Sequence, residues 1–257
     1  AGTVEFWHFW SSPVRRNAIR RIIALCAQQL PNIKVNETPK PFGDIWTANV
    51  AAVSAGSGMP DVIVEDRPQL AQRAADGIDQ SLQDLAERDG IDGAQFWPFT
   101  WQQTLYENKT YGIPYETDVV VLYWNKNAFK EAGLDPEKPP KTWAEIADAA
   151  KKITALGDDN YGYYFSGACA GCFAFTFLPL IWANGGDMLS ADGSTATVTD
   201  PAVKEALEFY RQLWADGSVA PGAQADTGTD FGNAFATGKI GMSGTGAFQI
   251  NNLKTNF

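Results

Sequence analysis

Tyr111-Gly112-Ile113-Pro114-Tyr115-Glu116-Thr117-Asp118, followed by the apolar run Val119-Val120-Val121-Leu122-Tyr123-Trp124, interrupts an otherwise regular pattern. Gly loosens the backbone and Pro removes a donor, so this junction ends one regular region before a strand resumes. Two extended segments meeting there read as a crossover between two lobes. Upstream, Val4-Glu5-Phe6-Trp7-His8-Phe9-Trp10 is an aromatic strand that stops at Ser11-Ser12-Pro13. Ile19, Ile22, Ile23, Cys26, Ala27 and Leu30 then recur at helical spacing until Pro31. Ile33 to Asn36 is a short strand, and Trp46, Val50 and Val53 mark a helix that ends in Gly56-Ser57-Gly58-Met59-Pro60. Asp61-Val62-Ile63-Val64 is a buried strand. Downstream, Thr142-Trp143-Ala144-Glu145 is a capping box opening a helix with Ile146, Ala149, Ala150, Ile153 and Leu156. Tyr161 to Phe165 is a strand, an apolar helix holding Trp182 as a core residue ends at Asn184-Gly185-Gly186-Asp187, and Asp200-Pro201 supplies N-cap and N1 of another helix. Strands alternating with helices predict βαβ units, a parallel sheet and helices on both faces. The expected fold class is α/β and two-lobed, with lobes over 1–115 and 116–257, a hinge near 112–118 and a ligand cleft between the lobes.

The 257 residues are 45% apolar, enough for a substantial core, and the formal charge of −10 argues against nucleic acid and anionic membrane surfaces as partners. No apolar run approaches the roughly 18 residues a membrane-spanning helix needs. The chain begins directly in a strand, so any export signal is expected to have been removed or to lie outside this sequence. Nine Trp and 12% aromatics exceed what the core needs, and flat rings grip ligands by stacking. Of three cysteines, Cys26 falls on the apolar stripe of its helix and is expected to be a buried free thiol. Cys169 and Cys172 form Cys-Ala-Gly-Cys, read as a local disulfide ahead of a redox dithiol or a metal pair. With His8 the only histidine, no metal set is expected and no cofactor is called for.

In open α/β sheets ligands sit beyond the carboxyl ends of the strands. That rule selects Trp10, Ser11 and Ser12 beside His8, then Phe42 and Asp44, then Glu65, Asp66 and Arg67, and at the crossover Tyr115 and Glu116. In the second lobe it selects Ser166 and Gly167, then Thr245, Gly246 and Phe248; Asp187 is added from the turn closing the Trp182 helix. Rings match the C–H faces of a sugar, and carboxylates, hydroxyls and one Arg match its hydroxyl rim. A micromolar ligand needs roughly 8 kcal/mol. One or two stacked rings at ~1 kcal/mol each fall short, whereas several bonds to charged groups at ~1.5–3 kcal/mol each make up the difference. Each choice has an alternative. Trp10 also suits a core cap, Asp44 an N-cap, Glu116 and Asp118 hinge ion pairs, and Thr245 a plain turn. Trp10→Ala is expected to weaken sugar binding and leave the thermal midpoint nearly unchanged. Two nearby carboxylates, Glu116 and Asp118, keep a glycosidase open as a rival. No G-x-S-x-G elbow is present, and Gly56-x-Gly58 precedes a strand, so it is no dinucleotide loop.

Tyr111 to Asp118, Leu122-Tyr123-Trp124-Asn125-Lys126, Ala132-Gly133-Leu134-Asp135 and Thr142 to Glu145 together resemble the most characteristic stretch of the family 1 extracellular solute-binding proteins of ABC transporters, which include the maltose-binding proteins. Ala55-Gly56-Ser57-Gly58-Met59-Pro60-Asp61-Val62, Ala183 to Asp187 and Phe235-Ala236-Thr237-Gly238-Lys239-Ile240-Gly241-Met242 look like earlier and later landmarks of that family, in order. The resemblance implies a periplasmic-binding-protein-like fold and a monomer that closes around a sugar or oligosaccharide without reacting with it. It implies a membrane permease and its ATPase as partners, and an extracellular or periplasmic place, with a lipid anchor on an upstream cysteine in many members. It also implies a longer chain that recrosses to the first lobe, so the first lobe and part of the site are expected to be incomplete here. A polyol phosphate or a peptide stays open as the ligand; a phosphate would want convergent basic residues, and the strand-end loops offer Arg67.

Overall fold

The aromatic-rich start of the chain gives a strand, and β1 (Gly2–His8) ends in buried Trp7 and His8, which point to opposite faces, so both faces are covered at its carboxyl end. The structure, a computed structural model, describes residues 2–10, 13–66, 69–157, 159–169, 171–228 and 231–256. Its contacts divide the chain into two units, Ala1–Thr117 and Asp118–Phe257.

In the first unit α1 (Pro13–Gln29) leads to β2 (Ile33–Pro39), and α2 (Ile45–Ala55) leads to β3 (Val62–Ile63). The three strands are parallel in the order β2-β1-β3, with Val4 opposite Val35 and Phe6 opposite both Glu37 and Val62. Helix α2 stops at Gly56, whose φ of 64° suits a residue without Cβ. Short helices α3 (Leu70–Ala75), α4 (Gln83–Asp89) and α5 (Pro98–Gln102) follow, then a hairpin of β4 (Leu105–Tyr106) and β5 (Lys109–Thr110). Its turn holds Glu107 and Asn108 at φ 48° and 61°, the left-handed pair that a tight two-residue hairpin requires. The helical stripe of α1 is present but largely uncovered. Ile19 is its buried residue, Leu25 is 59% exposed, and Cys26 is exposed rather than buried. Periodicity marks an apolar face without saying what covers it, and α1 meets β2 over a short stretch only.

The second unit runs β6 (Val120–Trp124), α6 (Lys126–Glu131), α7 (Trp143–Thr154), β7 (Tyr161–Tyr163), α8 (Phe173–Thr176), α9 (Leu178–Ala183), α10 (Pro201–Ala215), α11 (Phe231–Ala236), β8 (Ile240–Gly246) and α12 (Gln249–Asn256). Its sheet is ordered β6-β8-β7, with β7 parallel to β8 but β6 antiparallel to it, so the expectation of parallel sheets fails for this strand. A continuous apolar run such as Val120–Trp124 has the same local pattern in either direction. The capping box forms around α7: Thr142 Oγ1 accepts from Glu145 N at 3.2 Å, and Glu145 Oε2 accepts from Lys141 N at 2.6 Å, one residue before the usual donor. Asp200 and Pro201 take the N-cap and N1 positions of α10. Ala150, Ile153, Ile181, Leu213 and Met242 are at most 1% exposed and lie in one apolar cluster, each large side chain contributing roughly 1.5–3 kcal/mol by burial. Gly162 lets β7 touch α7, because a Cβ there would collide with the Ala150 backbone. Trp182, expected in the core, is 43% exposed, with its Nε1 donating to Asp187 Oδ1 at 3.2 Å. It lies one residue past fully buried Ile181, on the outer side of α9.

Candidate functional site

The carboxyl end of β1 brings together four of the expected residues of the first unit. Trp10 is 3% exposed, and its Nε1 donates to Glu116 Oε1 at 3.0 Å. Its ring lies 4.9 Å from that of Tyr115, which is exposed. Phe9 links Trp10 at 5.7 Å to Phe42 at 5.1 Å, the latter edge-on. The arrangement presents one exposed ring and one carboxylate on a buried aromatic base, which suits the C–H face and hydroxyl rim of a polyol. Behind it, His8 Nδ1 accepts from Trp10 N at 3.2 Å and Nε2 lies 3.3 Å from Glu37 Oε1, so Nε2 carries the proton. Burial lowers the His8 pKa against the pull of Glu37. Burial pushes the Glu37 carboxyl up, but bonds from Arg20, Arg16 and His8 outweigh it and hold its pKa down. Asp44 stands at the N-cap position of α2, exposed and making no side-chain cap. Ser11, Ser12 and Arg67 lie outside the described residues.

Glu65 follows β3 but turns to Arg73, whose Nε is 2.5 Å from Glu65 Oε1. Arg73, 5% exposed, also donates to Asp79 at 2.6 and 3.0 Å, and Asn49 accepts from both its terminal nitrogens with the amide oxygen facing them. Burial and the Asp79 charge push Glu65 to about 8 despite Arg73. One cation facing two buried carboxylates is balanced when one of them keeps its proton. Asp66 is half-buried beside this cluster.

In the second unit, Ser166 and Gly167 leave β7 while Thr245 and Gly246 end its parallel neighbour β8. The two stretches are tied together: Ser243 Oγ donates to the Tyr164 carbonyl at 2.8 Å, and Gly244 N donates to Tyr163 Oη at 3.2 Å. Ser166 is buried, and its hydroxyl donates to Asp226 Oδ2 at 2.6 Å. Gly246 is packed so that a Cβ would strike Asp118 and the Phe248 ring, and its carbonyl accepts from Tyr123 Oη at 2.9 Å. Phe248 is 48% exposed. Asp187 is exposed in its own turn, accepting from Met188 N at 2.7 Å. The Cys169–Cys172 disulfide is present. Phe165, Gly167, Trp214 and Gln224 line a cavity of about 350 Å³. Arg73, Trp214, Gln224 and Asp226 were not among the residues expected at the site; Pro221-Gly222 and Gly228 mark turns beside Gln224 and Asp226. Among the described residues no group of three His, Cys, Asp or Glu is placed to hold a metal, and no helix is long and apolar enough to cross a membrane.

Residues 22–256 match the profile of the bacterial extracellular solute-binding proteins. The chain belongs to that family. This solute-binding protein is 30% identical over 224 residues to a binding protein of Brucella abortus (strain 2308), an alignment covering 87% of the chain and 53% of the relative. It thus spans about half the length of the curated relatives it matches. A solved ABC transporter solute-binding protein from Thermotoga lettingae, bound with alpha-D-tagatose, superposes with a TM-score of 0.86 at 29% identity, over 100% of this chain and 65% of that one. UgpB from Mycobacterium tuberculosis, in complex with glycerophosphocholine, gives 0.81 at 25%, over 100% and 62%. The fold is therefore that of the two-lobed periplasmic solute-binding proteins, and the family's extracellular character gives a periplasmic or extracellular location.

Proposed function

We propose that this solute-binding protein captures a neutral sugar or short oligosaccharide, closes around it and delivers it unchanged to an ABC permease and its ATPase. The observation that carries the reading is the Trp10–Tyr115–Glu116 group, an exposed ring and a carboxylate fixed on a buried aromatic base. The tagatose held by the Thermotoga lettingae relative supports the same ligand class. Closure favours the ligand-bound state by contacts that exist only when the ligand bridges both lobes. Phe42, Asp44, Asp66, Ser166, Gly167, Asp187, Thr245, Gly246 and Phe248 are proposed as further ligand contacts, and Glu65 as a support for them through Arg73. Ser11, Ser12 and Arg67 are proposed as contacts from the sequence alone. Division into lobes near Pro114–Asp118, a monomeric state and a lipid anchor upstream belong to the same proposal.

A polyol phosphate is the second reading, because the Mycobacterium tuberculosis relative holds glycerophosphocholine. Against it, Arg73 already faces Glu65, Asp79 and Asn49. Tryptophan fluorescence and thermal shift against mono- and oligosaccharides, sn-glycerol 3-phosphate and glycerophosphocholine, with product assayed in the same mixtures, decide between them. Saturable binding of one sugar class without product is expected. Binding of the phosphates alone would replace the sugar, and product formation would make the protein an enzyme.

A further inference from the structure

Two loops of the second unit are joined more tightly than turns require. Gly167 N donates to the Ala223 carbonyl at 2.7 Å and Ala168 N to the Asp226 carbonyl at 3.0 Å. Asp226 is 3% exposed. Its Oδ2 accepts from Tyr164 Oη at 2.9 Å and Ser166 Oγ at 2.6 Å, and its Oδ1 accepts from Gly228 N at 2.9 Å. A carboxylate removed from water is tolerated only when donors surround it, and such charge-assisted bonds are stiff. Two residues on, Gly228 has φ +100°, and a Cβ there would lie 2.8 Å from both Cys169 Sγ and Cys172 Sγ. The disulfide therefore rests directly on the backbone of the loop that carries Asp226. Cys172 N donates to Cys169 Sγ at 3.2 Å, and Cys169 is 4% exposed, so the bridge is part of the packing.

These loops supply Gly167 and Gln224 to the cavity of about 350 Å³, whose other walls are Phe165 and Trp214, edge-to-face with centroids 6.0 Å apart. That volume lies at the lower end of the ~300–1,000 Å³ spanned by small-molecule sites. No charged side chain lines it; two aromatic walls, an amide that both donates and accepts, and a glycine backbone do. An anion would find no counter-charge there, whereas one ring of a neutral polyol would find stacking surface and matched hydrogen bonds.

We infer that Asp226 is a positioning residue for ligand capture, locked by the Cys169–Cys172 disulfide, and that the rim they hold in place takes one ring of a neutral sugar. The inference rests on the sugar-binding reading above and adds where in the second unit a ring sits. Asp226 touches no ligand in this scheme. It acts through Ser166 and the Gly167–Ala223 pairing, and the disulfide keeps its loop from drifting away.

The test compares the chain in four forms: oxidised, reduced with a water-soluble phosphine, Asp226→Asn, and Gln224→Ala. The phosphine takes oxygen from one water to become its oxide and leaves two thiols. Hydrogen exchange at the Gly167 and Ala168 amides and the dissociation constants for D-tagatose and maltose are measured on each. Reduction and Asp226→Asn are expected to speed exchange at both amides, leave α7 and α10 unchanged, and weaken sugar binding about tenfold. Reoxidation restores both readouts, which general damage to the fold would not allow. Gln224→Ala is expected to weaken binding without changing exchange. Unchanged exchange overturns the lock, and faster exchange with unchanged affinity overturns the positioning role. Full affinity in Gln224→Ala removes the ring from this rim. If neither sugar binds the oxidised chain, the sugar reading itself has failed and the ring site fails with it, while exchange still decides the lock.

Discussion

Trp10 is the buried support of the exposed Tyr115 ring, and substitution separates that support from a contact with ligand. Its burial and its bond to Glu116 mean that Trp10→Ala removes a packed ring and a hydrogen bond. The expectation of an unchanged thermal midpoint is thereby corrected. Truncation should cost about 3–5 kcal/mol, read as a lower denaturant midpoint for the first unit, with sugar affinity falling as well. Trp10→Phe should retain most of the stability and lose affinity, and unaltered affinity in that variant would leave Trp10 as core only. Glu65 gives a second prediction at this scale. Its folded pKa of about 8 stands above the ordinary value of 4.5, so the native state holds a proton that the unfolded chain releases. The stability this contributes is complete below about pH 4.5 and is lost as pH rises through about 8. Glu65→Gln, which cannot ionise, should therefore be more stable than the native chain at pH 9, and equal or lower stability there would refute the assignment. The strand-end rule reached Trp10 and Glu116 from sequence, since each sits at a break after a strand. It could not pair them, because no periodicity relates residues 106 positions apart. Arg73 and Asp226 were not legible as site residues: each looks like a surface charge until the chain folds over it.

Among the elements, α7 was the most legible because its start signal and its 3.6-residue stripe agree. Thr142→Ala should remove one accepted bond and cost about 1 kcal/mol, measurable by urea denaturation. The β4–β5 hairpin was not legible: two-residue strands are too short for alternation, and Glu107-Asn108 is not the usual Asn-Gly turn. Strand direction was also hidden, as antiparallel β6 shows, because direction is decided by the partner across the ladder and not by the strand's own residues. The β7–α7 contact gives a sharper test. Gly162 sits against the Ala150 backbone and its N–H donates to Thr154 Oγ1 at 3.1 Å. Gly162→Ala should force the layers apart and cost roughly 1–3 kcal/mol by overpacking, seen as a lower midpoint for the second unit. A neutral outcome would mean the helix can shift at no cost.

For the molecule as a whole, burial displaces titrations in both units, but it drives the tyrosines Tyr163 and Tyr210 of the second unit further alkaline, so the displaced groups acting near neutral pH divide unevenly. His8 and Glu65 both lie in the first unit. The lowered His8 pKa means the unfolded chain binds the proton first, so stability falls as pH drops below about 6.5. Glu65 acts in the opposite sense on the alkaline side. The first unit should thus be most stable in mildly acidic solution, and hydrogen exchange across pH 5 to 9 should show its protection changing more than that of the second unit's α7 and α10. Equal changes in both units would contradict this. The exposed thiol on α1 has a separate practical consequence. Two of the three cysteines are tied to each other, so Cys26 is the single free sulfhydryl, and it is on the surface. A maleimide dye would attach at one place in the first unit without mutagenesis or reductant, giving a stoichiometric optical reporter. The same atom makes air oxidation during storage end in a cross-linked pair of molecules and no higher oligomer, visible as one extra band on a non-reducing gel.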